Sequence, residues 1–188
     1  DNIDTMKNSP LLEAYNKKNI EVLLLCDEID EIIITSVPKY KDYDLKAINR
    51  SDAIDEFSEE KESKKSGSHD TLLKNIKKVL KDRIKDVKVS SRLSDSPCCI
   101  VLDSNDPSVK MQEMMKAMGQ PAMGDIKPIF EVNPKHSIIK KLSKMKKIKS
   151  FDNTVNILFN QSLLMEGIKI DNPNDYVKNV NEVLSKAL

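Results

Sequence analysis

The sequence predicts an α+β protein: a small α/β unit, then a helix, a short three-stranded sheet and further helices, the last two forming a dimeric four-helix bundle. Three observations carry this. Strand, helix and strand patterns follow one another through residues 20–49. A charged, Ser-rich stretch at 58–68 (SEEKESKKSGS), nearly devoid of apolar residues, reads as a linker. Two helical patterns at the end carry more apolar surface than a small domain hides by itself.

Within that frame, residues 3–16 read as a helix interrupted at Ser9-Pro10, because a residue before proline avoids helical backbone. The apolar, β-rich run 20–25 predicts a buried strand. Asp27 is expected to cap a helix through Ser36, with Glu28, Asp30 and Glu31 favouring its dipole. Residues 43–49 predict a second strand. Beyond the linker, Leu72, Leu73, Ile76, Val79, Leu80 and Ile84 recur at helical spacing. Segments 87–90, 98–102 and 129–132 read as strands, and 134–148, 151–166 and 173–187 as helices. The expected domains are 1–62 and 63–188.

Composition narrows the function. Apolar residues make up 39% and charged residues 32% of 188, so the core is lean and the surface heavily charged. Lys+Arg and Asp+Glu leave a net charge of +1, which gives no general reason to expect nucleic acid or a membrane as partner. Cys26, Cys98 and Cys99 all lie in apolar runs. An odd count with an adjacent pair is a poor disulfide framework, so three buried free thiols in a reducing, cytoplasmic setting are expected. The longest apolar run is far short of the roughly 20 residues that span a bilayer. The chain opens on Asp1-Asn2-Ile3 without methionine or a signal-peptide pattern, and is expected to begin inside a longer protein.

Three constellations matter for function. In the first, Asp106 is expected to cap a helix, with Pro107 at its first position and Gly119 at its end. Met111, Met114, Met115 and Met118 then share one face, while Lys110, Gln112, Glu113 and Lys116 take the other. Two readings stand: a helix packing its apolar face on the core, or an adaptable binding surface, since thioether chains are flexible and polarizable.

The second constellation is the C-terminal helix pair. Val155, Ile157, Leu158, Phe159, Leu163, Leu164 and Met165 leave only a narrow polar stripe of Asn153, Asn156, Asn160 and Gln161. After Gly167 and Asp171-Asn172-Pro173, the last helix presents Tyr176, Val177, Val180, Val183, Leu184 and Ala187. Either these helices bury one another within the protomer, or a two-fold partner completes a bundle. The second reading places Val155, Leu158, Phe159, Ser162, Leu163, Tyr176, Val177, Val180, Val183 and Leu184 at a dimer interface.

The third is the basic run of Lys135, Lys140, Lys141, Lys144, Lys146, Lys147 and Lys149, read as a solvated helix face because no aromatics interleave it. Catalytic motifs are missing. His69 and His136 lack neighbours at metal-ligand spacing, and four glycines build no phosphate cradle. No catalytic, cofactor-binding or metal residue is assigned, and no enzyme activity is expected of this stretch.

Several segments resemble a known family. They are Ser9-Pro10-Leu11-Leu12-Glu13, Lys18-Asn19-Ile20-Glu21-Val22-Leu23-Leu24-Leu25 and Asp27-Glu28-Ile29-Asp30-Glu31. Val87-Lys88-Val89-Ser90-Ser91-Arg92-Leu93 with Ser96-Pro97, Met114-Met115-Lys116-Ala117, Phe130-Glu131-Val132-Asn133-Pro134 with His136, and Asp171-Asn172-Pro173 follow in order. Together they resemble the end of the middle domain and the dimerisation domain of the ninety-kilodalton heat-shock chaperones. Asn133 and Pro134 would serve as helix cap and first helical residue. The resemblance implies a homodimer, an ATP and magnesium site upstream of this stretch, and folding or remodelling of client proteins under stress. It implies client contact through Met111, Met114, Met115 and Met118. The chain ends without the acidic tail of the eukaryotic cytosolic form and is more similar to the bacterial form. A competing expectation is a regulatory or scaffold domain that only dimerises.

Overall fold

The structure is a computed structural model, and it describes residues 3–27, 29–54, 69–119 and 127–187. The expected linker and the domain boundary at 62 lie outside the described residues.

The interruption at Ser9-Pro10 is real and ordered. Helix α1 (Ile3–Lys7) ends, Pro10–Leu12 form a 3₁₀ turn, and α2 (Glu13–Lys17) follows. The Ser9 hydroxyl accepts from the Leu11 amide at 3.3 Å, and Pro10 at the first position gives up no needed donor. Asn19, at φ 54°, closes α2: the Ile20 amide donates to the Tyr15 carbonyl and the Asn19 amide to that of Asn16. Leu11, Leu12 and Tyr15 are buried.

The next stretch departs from expectation. Residues 20–25 are irregular, and Leu23 is 74% exposed. Among the described residues no segment forms a ladder with this run, and an apolar run without a partner strand has nowhere to bury itself. The expected strand at 43–49 shrinks to a hairpin of β1 (Lys39–Tyr40) and β2 (Tyr43–Asp44). Cys26, expected buried with its run, is exposed for the same reason. Helix α3 (Asp30–Ser36) starts two residues later than expected, and Asp27 is not its cap. Instead the Asp30 carboxylate accepts from the Asp27 amide at 2.9 Å.

The sheet forms from the three expected segments. Central β5 (Ile129–Val132) pairs in parallel with β3 (Asp86–Val89) and antiparallel with β4 (Cys98–Val101). All residues of β4 and β5 are buried, because both faces of the sheet are covered. Side chains alternate between the faces. Cys98, Ile100, Phe130 and Val132 join the main core with Leu72, Ile76 and Leu80 of α4 (Asp70–Leu80) and with α7 (Ile148–Met165). Cys99, Val101 and Ile129 face the other way, onto Leu11, Ile48 and Leu93.

Between β5 and α7 lies α6 (Ser137–Ser143), shorter than its sequence pattern. Its cap is His136, whose Nδ1 accepts from the Ile138 amide at 3.2 Å; Asn133 and Pro134 do not begin it. Asn133 instead donates to the Ser94 and Ser96 carbonyls, holding the turn before β4.

The three asparagines of the α7 stripe are all hydrogen-bonded. The Asn156 and Asn160 carbonyls accept from the Arg83 guanidinium at 2.9 and 2.7 Å, and that guanidinium stacks on Phe159. Gly167, at φ 70°, ends the helix: its amide donates to the Leu164 carbonyl and that of Ile168 to Leu163. Helix α8 (Pro173–Ala187) then runs back along α7. Glu182 accepts from Asn153 and Lys149, and Lys186 reaches Ser150, so the two helices are antiparallel.

The second sheet face contains the one buried ion pair among the described residues. Arg92 is 1% exposed; its Nε donates to Glu131 at 3.0 Å and its two amino groups to the Ile48 and Arg50 carbonyls at 2.6 and 3.0 Å. The Ser90 hydroxyl fills another Glu131 lone pair. Beside it the Glu13 carboxylate accepts the amides of Ser94, Asp95 and Ser96, which holds its pKa below the usual value against the opposing effect of burial. Arg92→Ala would strand a buried carboxylate and two carbonyls. We expect it to cost about 3–5 kcal/mol in urea unfolding, with little recovered by Arg92→Lys, which lacks the planar fork. A loss under about 1 kcal/mol would show that the pair is dispensable.

Candidate functional site

The methionine helix is α5 (Val109–Ala117). Ser108, not Asp106, is its cap: its hydroxyl accepts from the Met111 amide and its carbonyl from the Gln112 amide, both at 3.0 Å. Asp106 serves the preceding loop, where it and Asp103 pair with Lys85, and where the Arg50 guanidinium donates to the carbonyls of Asp103 and Asp106. These contacts aim the start of α5 from two other parts of the chain. Gly119, at φ 74° with nothing near a Cβ position, follows the last turn as expected.

The orientation of α5 was not legible beforehand. Gln112, placed by periodicity on the outer face, is buried. Met111, Met114 and Met115 are half-buried, and Met118 is 65% exposed. The methionine face therefore lies across the boundary between protein and solvent, half-buried at Met111, Met114 and Met115 and open at Met118. Ser108 could be read as a cap as readily as Asp106, but neither choice says which face of the helix meets the core.

The expected interface residues divide into two sets. Val155, Leu158, Phe159 and Leu163 are buried in the protomer's own core, with Phe159 edge-on to Phe130 at 5.7 Å. Ser162 is buried too; its hydroxyl donates to the Leu158 carbonyl and lies 3.4 Å from the Cys98 sulfur. The intramolecular reading accounts for this part of α7. On α8, Tyr176, Val180 and Val183 are half-buried, while Val177 and Leu184 are exposed, as are Leu164 and Met165 at the end of α7. The surface open to a partner is thus the outer side of α8 and the last turn of α7, narrower than the sequence suggested.

Among the described residues no three His, Cys, Asp or Glu side chains group to hold a metal. Burial pushes the Cys98 thiol up to about 11 and raises that of Cys99 well above its usual value, so both stay protonated at neutral pH. Among the described residues no helix is long and apolar enough to cross a membrane.

A family model described as Hsp90 protein matches residues 1–188. The chain belongs to the Hsp90 family. The chaperone protein HtpG of Treponema denticola is 44% identical over 185 residues, covering 96% of this chain and 29% of that protein. HtpG of Legionella pneumophila (strain Paris) is 43% identical over 182 residues, 95% of this chain and 29% of its own. HtpG of Treponema pallidum is 37% identical over 186 residues, 97% and 29%. This Hsp90-family chain therefore spans less than a third of the relatives it matches.

One titratable group escaped the sequence reading. Glu166, at the end of α7, has its carboxyl pushed up to about 7 by burial, against the pull of Arg92. A raised acid pKa means that the folded state binds a proton more tightly than the unfolded chain, so stability rises as pH falls from 8 towards the ordinary value of 4.5. Glu166→Gln should raise the urea midpoint at pH 8 and flatten the pH dependence across that window. An unchanged slope between wild type and variant would mean that Glu166 titrates normally.

Proposed function

We propose that this chain is the dimerisation and client-contact segment of an ATP-dependent chaperone. The position of the methionine face at the protein surface carries the reading. A helix that buries Gln112, leaves Met111, Met114 and Met115 half-buried and exposes Met118 holds part of that face within reach of a ligand. Unbranched thioether chains re-pack at low cost, which suits weak contact with many unfolded sequences. An apolar face left in water is otherwise an aggregation liability. In the two-fold assembly each protomer contributes one such face, so a client engaging both gains avidity.

Dimerisation is assigned to the outer side of α8 and the end of α7. Val177 and Leu184 lie seven residues apart on one helix side, the spacing of a helix–helix seam. The relatives bear the name chaperone protein, and the segments shared with them run the length of the chain. ATP and magnesium would bind in a part of the full-length protein outside this chain, with this chain supplying no catalytic group. The expected setting is the cytoplasm.

Two experiments test the proposal. Light scattering after size exclusion should give twice the chain mass at micromolar concentration. Val177→Asp with Leu184→Asp should raise the dimer Kd by about a thousandfold or more, since each exposed aliphatic gains about 1.5–3 kcal/mol on burial. Both sites are exposed in the protomer, so its fold should survive. A monomeric wild type would end the dimer assignment. Changing Met111, Met114, Met115 and Met118 together to Gln should leave the melting temperature and dimerisation nearly unchanged and weaken binding of an unfolded client by about tenfold or more. Unfolding of that variant would make the methionines core residues. Unchanged client affinity would move the contact elsewhere.

A further inference from the structure

The run 143–149 between α6 and α7 is exposed at every position. Lys144, Lys146 and Lys147 stand in it, with Lys140 and Lys141 exposed in the last turn of α6. Among the described residues none of these five makes an ion pair or side-chain hydrogen bond; Lys149 pairs with Glu182 at 3.1 Å. No Asp or Glu occurs between positions 135 and 149, where seven lysines do. The near-zero charge of the whole chain hides this, because the excess of acids lies elsewhere. Met145 and Ile148 stand among the lysines, 41% and 78% exposed.

We propose that this corner docks onto the headgroup surface of an anionic lipid bilayer. The lysines would lie over the phosphates, with Met145 and Ile148 entering the interfacial layer. Several observations favour a flat anionic surface over a shaped polymer. The corner is a turn exposed at every position, and none of its residues lines the clefts along α8 and beside Pro97. Its cations are all lysine, compact charges on flexible stems, with none of the planar arginine forks that read carboxylates in pairs. No aromatic residue occurs in 135–149 on which a nucleic-acid base would stack. Exposed aliphatic tips gain little from a hydrated acidic chain but gain on entering the edge of the hydrocarbon, while lysine stems keep their charges at the headgroups. A cluster of this size lies within the range of polybasic segments that bind anionic leaflets. The inference is independent of the dimer and client assignments, since none of its residues belongs to either surface.

The test is co-sedimentation of the full-length protein with two kinds of vesicle, phosphatidylcholine alone and an equal mixture of phosphatidylcholine and phosphatidylglycerol. Binding is expected to the mixed vesicles only, and to fall as salt is raised. Changing Lys144, Lys146 and Lys147 together to Gln should weaken it by about a hundredfold. Ile148→Ser should weaken it several-fold while leaving the salt dependence intact. All four sites are exposed, so circular dichroism should show unchanged folding. Equal binding to neutral vesicles, or full binding by the lysine variant, would overturn the proposal. So would absence of binding at low salt. Polyglutamate that displaces the protein as readily as anionic vesicles capture it would assign the corner to acidic polypeptides instead and overturn the lipid reading.

Discussion

Arg92 and Glu131 sit where three parts of the chain must agree. Glu131 is on the central strand, Arg92 follows the parallel edge strand, and the carbonyls of Ile48 and Arg50 come from a stretch some forty residues earlier. A buried ion pair is seldom a large net source of stability, because desolvation offsets most of the attraction. Its effect here is to exclude alternatives. Any shift of residues 48–50 along the sheet edge would leave a guanidinium or a carboxylate in an apolar layer without a partner. The parallel bridge between Arg50 and Leu102, and the Glu13 carboxylate on the turn at 94–96, fit only that one placement. The N-terminal helices are thereby fixed to the sheet that carries the rest of the fold.

The sheet, fixed on that side, determines what α7 can do on the other. Its apolar side fills the main core, and its asparagines are divided between Arg83 and Glu182. Little of α7 is left exposed, so a partner copy would have to meet the protomer on α8 and the final turn of α7. An interface of this kind adds to a protomer that already has a core. The residues that would hold two copies together are therefore separable from those that hold one copy folded.

The same economy appears at α5 and at the corner before α7. Both are attached at a few defined points and leave apolar side chains in water. Around α5 the anchors are Ser108, Arg50 and Lys85, and at the corner they are His136 and Lys149. Elements with few buried contacts are the ones whose local opening is cheap, and binding surfaces are drawn from them. A lean core and a charged surface follow from the composition.

The three strands of the sheet and the long amphipathic helices were legible in the sequence, because period 2 and period 3.6 report burial that is local in the chain. The Ser9-Pro10 break and the glycines at 119 and 167 were legible too, since each fixes the backbone of its own neighbourhood. Strand 20–25 was not, because a strand exists only with a partner, and no described segment supplies one. Caps moved from Asp106 to Ser108 and from Asn133 to His136, since neighbouring residues compete for one helix end and the loop's other contacts decide. Cysteine in an apolar run read as buried, yet Cys26 is exposed once its run has nothing to pack against. Above all, a periodic stripe states that a helix has two faces and not which one meets the core. The tertiary structure alone buried Gln112, set the methionines at the protein surface and turned α7 inward, because those outcomes depend on the shape and polarity of surfaces that come from distant parts of the chain.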